Sequence, residues 1–153
     1  DLKQLAAQIA SPDVKGNFMS VVMPCGKGYV SDAVYKEALT VHTPALKKLY
    51  ADTFVKYRIA ALAFPSTPLP AAPIVGSDRT VKLNGKDVPT FPTYTRNANT
   101  GPGAGLPGIT LPIARTAAGL PIGLSLDGPV GSDRRLLAIA LALEQVCGRL
   151  PAP

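Results

Sequence analysis

Cysteine is nearly absent from this chain: Cys25 and Cys147 are the only two in 153 residues. Two thiols cannot build the disulfide framework of a small secreted scaffold. With no CxxC pair and no Cys/His cluster, a structural zinc site has no ligands. Histidine is scarcer still. His42 stands alone, so a Ser-His-Asp or Cys-His hydrolytic site would have to be built on it. Its place at a helix junction, beside Thr40 and Thr43, reads more simply as a structural, hydrogen-bonded histidine. Cys25 and Cys147 read as small buried apolar residues, Cys147 on a helix seam. Glutamate is limited to Glu37 and Glu144, on helical segments far apart, so a paired-carboxylate hydrolase lacks its pair.

Charge is sparse too. Charged residues make up 17% of the chain and apolar residues 46%, against about 25% charged in an average protein, which excludes acidic disorder and coiled coil. The net charge of +6 is scattered: Lys47-Lys48 and Arg134-Arg135 are the only adjacent basic pairs. That is a solvated surface, and neither nucleic acid nor a membrane is expected as partner. Residues 59–76 carry no charge, but Pro65, Pro68, Pro70 and Pro73 interrupt them. Each proline lacks an N–H and blocks a spanning helix. No basic segment followed by an apolar one opens the chain, so a cytoplasmic protein is expected. The first residue is Asp1 and not Met, as in a processed product, a fragment or a trimmed chain.

What is present is one domain's length with many turns: 14 Gly and 16 Pro. Leu2, Leu5 and Ile9 fall at helical spacing, so a helix over 2–9 ends near Ser11-Pro12. Ser31 caps a second helix to about Val41. Thr43-Pro44 opens a third, Thr as N-cap and Pro at the first helical position, running to Arg58. Leu46, Leu49, Tyr50, Thr53, Phe54 and Tyr57 form its apolar side. Residues 59–64 read as a short buried strand stopped by Pro65. Asn84-Gly85 marks a hairpin turn. Residues 109–113 and 122–126 pair as strands around Gly119, with Pro112 and Gly123 marking an edge, bulge or close backbone approach. Ser132 caps a last helix to Gly148, with Arg149 suiting its far end. Leu136, Ala140, Leu143, Cys147 and Leu150 form one seam, widened by Leu137, Ile139 and Leu141, so the helix is packed on most sides. Helices alternating with strands give an α/β class, part of a mixed β-sheet flanked by helices.

Residues 65–104 are rich in Pro, Thr, Asn and Gly, and an irregular stretch of that length is usually functional. Gly103–Gly108 (GAGLPG) fits G-x-G-x-x-G in letters only, since a strand follows it where a helix is needed. Asp127 follows a strand and reads first as a turn aspartate. Thr67, Thr93, Tyr94, Thr95, Arg96, Asn97 and Asn99 are polar groups in an apolar setting. They suit either a neutral polar ligand such as an amide or ordinary turns.

Four phrases occur in order: 64–74 (FPSTPLPAAPI), 83–91 (LNGKDVPTF), 105–112 (GLPGITLP) and 119–144 (GLPIGLSLDGPVGSDRRLLAIALALE). Together they resemble the C-terminal part of an amidase signature family enzyme. IASPDVKGNF and TYTRN resemble its indoleacetamide and mandelamide hydrolase branch. The resemblance implies that residues 1–153 are a single unit, an incomplete part of a larger amidase domain. It implies amide hydrolysis through a Ser acyl-enzyme, the Ser activated by a second Ser and a Lys. That apparatus lies on a Gly/Ser-rich motif absent here: Gly76-Ser77 and Gly131-Ser132 are each followed by Asp. No catalytic residue is therefore carried onto this chain, and alone it is expected to be inactive. Thr67, Pro68, Tyr94, Thr95 and Asn97 are the expected substrate contacts, with Tyr94 stacking on an aromatic ring. Ser66 stands where the branch often has Thr, and Asn99–Gly105 departs from the usual version. Half a sheet domain leaves an edge and an apolar face bare, so the missing N-terminal part or self-association is the expected partner. The alternative is a standalone non-catalytic module that binds a small ligand or a partner.

Overall fold

The computed structural model describes residues 1–148 and 150. In chain order the elements are helices α1 (Leu2–Gln8), α2 (Pro12–Val21) and α3 (Asp32–Glu37), a π-helical turn (Ala38–His42) and α4 (Thr43–Tyr57). Strands β1 (Leu62–Pro65), β2 (Thr80–Leu83) and β3 (Lys86–Pro89) follow, then α5 (Thr90–Tyr94) and α6 (Thr100–Gly103). Strands β4 (Gly108–Arg115) and β5 (Pro121–Asp127) and helix α7 (Asp133–Cys147) complete the order. The chain divides into two compact units, Asp1–His42 with Ala72–Phe91, and Thr43–Ala71 with Pro92 onward.

In the first unit, α1 starts on a capping box: Gln4 N donates to Asp1 Oδ1 at 2.9 Å, and the Asp1 amino group donates to Gln4 Oε1 at 3.2 Å. Ser11-Pro12, expected as a stop, also starts α2, with Pro12 where no N–H is needed. Ser31 Oγ accepts from Val34 N at the head of α3. The expected helix to Val41 instead widens into the π turn. There residues five apart face each other, and His42 Nε2 lies 3.6 Å from Glu37 Oε1. The turn runs directly into α4, so Thr43 caps no free helix end. The wide turn falls just before Pro44, whose missing N–H would leave a gap in an α-helical ladder. β2 and β3 pair antiparallel, Val81 against Val88, around Asn84 (φ 51°) and Gly85 (φ 78°). Two successive positive φ values give the type I′ geometry that Asn-Gly favours.

The second unit holds a three-stranded antiparallel sheet in the order β1-β5-β4. Both sheets among the described residues pair antiparallel, and the class is α/β as the alternation of elements predicts. β4 is an edge strand with a bulge between Pro112 and Ala114, where proline removes a ladder donor. One sheet face packs on α7: Leu126, Leu136 and Ala140 are buried together, with Ile109, Leu111 and Leu124 against them. A second cluster joins Phe54 of α4 to Ala104 and Leu106, with Leu46, Tyr50, Ile59 and Leu62 around it.

Burial is thinner than the periodicity predicts. Leu49 and Tyr57, placed on the apolar side of α4, are 63% and 62% exposed. On α7, Leu137 and Leu141 are 60% and 58% exposed and Cys147 is exposed, so the expectation of a helix packed on most sides is corrected. The sheet covers its buried side. The role expected for Arg149 lies outside the described residues. Ser132 begins α7 but makes no capping hydrogen bond, and its buried Oγ has no partner among the described residues.

Candidate functional site

The Pro-rich segment after β1 is held by three side chains. Thr67 Oγ1 donates to Leu69 O at 2.7 Å, Tyr94 Oη to Pro70 O at 2.6 Å, and Asn97 Nδ2 to Pro65 O at 2.8 Å. Prolines supply acceptors and no donors, so the neighbouring side chains complete the backbone's hydrogen bonding. All five expected contacts lie in the second unit, and Thr67, Pro68, Tyr94 and Asn97 gather around residues 65–71. They do not line one cavity. Thr67 and Pro68 line a cleft of about 270 Å³ that reaches Ile122 and Gly123. Asn97 lines a different cavity of about 260 Å³. Tyr94 and Thr95 are half-buried and line neither.

The 260 Å³ cavity lies over the sheet face opposite α7. Ser66, Thr110, Ser125 and Asp127 line it with Asn97, among Phe64, Ala98, Pro102 and Ile109. Alternation along β4 and β5 puts Thr110, Ser125 and Asp127 on this side while Leu124 and Leu126 face α7. Thr110 and Ser125 sit opposite each other in the register. Their hydroxyls are 2.9 Å apart, and Ser125 Oγ donates to Ser66 Oγ at 2.8 Å. A hydroxyl has one proton, so Thr110 donates to Ser125, and the row runs Thr110 to Ser125 to Ser66. Ser66 is placed by its own N–H, which donates to Gly123 O at 3.0 Å. Gly123 makes room for the row: a Cβ there would stand 2.7 Å from Ser66 Oγ and 3.0 Å from the Thr110 methyl.

Asp127 closes the cavity at the end of β5, paired in register with Gly108 and Leu62. Its carboxylate lies over bare backbone. A Cβ at Gly101 would collide with Oδ2, and one at Gly108 would come within 2.9 Å of Oδ1. Burial pushes its carboxyl above the ordinary value of 3.8. The carboxylate also borders an open cavity of about 330 Å³ with Arg96, Asn97 and Thr100. Among the described residues it has no ion-pair or hydrogen-bond partner.

Asp127 was legible as a strand-end aspartate, though as a turn former. Ser125 and Thr110 were not singled out, and their signal is the polar beat in residues 109–113 (ITLPI) and 122–126 (IGLSL). Other motifs carry no site. Gly103–Gly108 runs from a helix into a strand, the reverse of a dinucleotide fingerprint. His42 is exposed and paired with Glu37, far from the buried setting of a triad histidine. Both cysteines are free and exposed, which corrects the buried position expected for them. No cluster of three or more His, Cys, Asp or Glu suited to a metal occurs among the described residues. No helix among them is long and apolar enough to cross a membrane.

Residues 2–137 match the family described as Amidase. Indoleacetamide hydrolase from Agrobacterium vitis is 42% identical over 138 residues, 90% of this chain and 29% of that protein. Mandelamide hydrolase from Pseudomonas putida is 32% identical over 159 residues, 98% of this chain and 30% of that protein. A crystal structure of an amidase superposes with a TM-score of 0.76 at 25% identity, over 96% of this chain and 31% of that one. The chain thus spans about 30% of the length of the curated relatives it matches.

Proposed function

The chain belongs to the amidase family, and from that premise we propose that it forms the C-terminal part of a hydrolase of linear primary amides. The observation that carries this reading is the match along residues 2–137, joined to identities of 42% and 32% with indoleacetamide and mandelamide hydrolases. An aryl-acetamide such as indoleacetamide or mandelamide is the substrate class. A Ser hydroxyl, activated by a second Ser and a neutral Lys, attacks the amide carbonyl. The C–N bond breaks, and the leaving nitrogen takes a proton and departs as ammonia. Water then attacks the acyl ester, releasing the carboxylic acid and restoring the Ser hydroxyl. The Ser, Ser and Lys belong to residues outside these 153, because no Gly-Ser-Ser occurs here. This portion contributes sheet, packing helices and part of the pocket, with Thr67, Pro68, Tyr94, Thr95 and Asn97 toward the substrate. No metal or organic cofactor takes part.

The partner in this reading is the remaining, N-terminal part of the polypeptide, or failing that a second copy. Support comes from the outer side of α7, where Leu137 and Leu141 stand exposed, and from the two outer edges of the sheet. A cytoplasmic setting is part of the proposal, in keeping with two unpaired thiols.

The test is ammonia release from indoleacetamide and mandelamide, by the 153-residue chain and by a polypeptide extended N-terminally to the relatives' length. The expected result is turnover by the extended polypeptide alone. Hydrolysis by the 153 residues alone, abolished by His42→Ala, would overturn the reading in favour of an independent hydrolase. Absence of turnover by both would favour a non-catalytic module.

A further inference from the structure

We propose that the 260 Å³ cavity bounded by Ser66, Asn97 and Asp127 is a subsite that recognises a primary carboxamide by its own hydrogen-bond pattern. The argument is an inventory of unused valences. The hydroxyl row ends at Ser66, which accepts from Ser125 and keeps its own proton free to donate. Asn97 spends its amide nitrogen on Pro65 O, which leaves its Oδ1 as an acceptor. Asp127 adds a carboxylate with no partner among the described residues and an apolar surround on one side. The cavity therefore offers one hydroxyl donor and two acceptors. A primary carboxamide is the complement: a carbonyl to accept from Ser66 and an NH₂ whose two protons suit Asn97 and Asp127.

Other ligands fit less well. A carboxylate meets the charge of Asp127. An ammonium suits Asp127 but has no lone pair for the Ser66 proton. Phe64, Ala98 and Pro102 supply the apolar wall that an aryl or alkyl substituent needs. The acceptors are built in: a Cβ at Gly101 or Gly108 would crowd the Asp127 carboxylate, and one at Gly123 would crowd the hydroxyl row. An unpaired polar group held in a part-dry cavity gains most from a partner that completes it.

The inference deepens the amide-hydrolase reading and rests on it for its biological setting. It is tested by binding, which requires no turnover. Phenylacetamide, phenylacetate and phenethylamine are titrated separately into the ¹⁵N-labelled 153-residue chain, and amide shifts are followed. The expected result is saturable shifts of the Asn97 side-chain NH₂ and of the Ser125 and Asp127 backbone amides with phenylacetamide, and none with phenylacetate. Asp127→Asn and Ser66→Ala each weaken phenylacetamide by about tenfold, the scale of a lost hydrogen bond in a closed site. Lys47→Ala, in the separate apolar cavity beside Phe54, leaves the affinity unchanged. Both site variants retain dispersed spectra. If one does not, Gly101→Ala, which displaces the Asp127 carboxylate, replaces it. Tighter binding of phenethylamine, equal binding of phenylacetate, or no shift at these residues would overturn the subsite. Turnover by the extended polypeptide without this binding removes the subsite and keeps the reading above. Binding without turnover does the reverse.

Discussion

Asp127 shows how one part-buried side chain without a partner among the described residues carries a cost. Burial raises its carboxyl above 3.8, so the folded state holds the proton to higher pH than the unfolded state does. Stability is then undiminished below the unfolded value and falls as pH rises through the folded one. Asp127→Asn should therefore raise the urea midpoint at pH 7, and the gain should shrink as pH falls toward 4. A parent more stable than the variant at pH 7 would mean that a partner for the carboxylate exists. Ser132 gives a second test at this scale. An N-cap serine replaced by alanine usually costs about 1 kcal/mol. Here the hydroxyl makes no cap and is buried without a partner among the described residues. Ser132→Ala should therefore raise stability, by about 1 kcal/mol, the cost of a buried hydroxyl left unpaired, and a loss near the usual capping value in chemical denaturation would contradict the geometry. Ser132 was legible as a helix start but not as an idle cap. The difference lies in its own backbone, which sits near φ −92° and ψ 19°, away from the extended conformation a working cap adopts.

At the scale of elements, the sequence was most legible where a local rule decides. The β2–β3 hairpin follows from Asn84-Gly85, because positive φ at both positions is cheap only for such residues. Gly85→Ala should lower stability by about 1 kcal/mol, the cost of a Cβ in that conformation. An unchanged midpoint would mean the hairpin is not formed cooperatively with its unit. The β4–β5 pair and α7 were legible for the same reason: alternation and 3.6-residue spacing state which side is apolar. The π turn at Ala38–His42 was not. Thr43-Pro44 carries a good start signal, yet the chain stays helical, and only the wider turn brings Glu37 and His42 together. On α7 the sequence overstates burial because it records apolarity and not what covers it. Leu136, 3% exposed, should cost about 2–5 kcal/mol when cut to alanine. Leu137, 60% exposed, should cost less than about 0.5 kcal/mol in this chain. In a polypeptide extended to the relatives' length its cost should rise toward that of Leu136. Equal and small effects in both settings would leave the outer side of α7 without a covering partner.

For the whole molecule, the family was legible in the ordered phrases. The candidate site was legible only in part. Thr67 and Asn97 hydrogen-bond to the backbone of the Pro-rich segment. The hydroxyl row across β4, β5 and Ser66 depends on strand register, which joins residues 59 positions apart in sequence and has no local signature. Exposure points the same way as the comparisons: Leu137 and Leu141 stand 60% and 58% exposed on α7 while Leu136 and Ala140 beside them are buried. The account's central claim is that these residues work as one portion of a longer amidase polypeptide. The intact mass of the freshly expressed protein, before storage, tests it most directly. The expected mass is about three times 15.9 kDa, given a span of 29–30% of the relatives. A mass of 15.9 kDa from the first moment would contradict the claim and leave a free-standing binding module in its place.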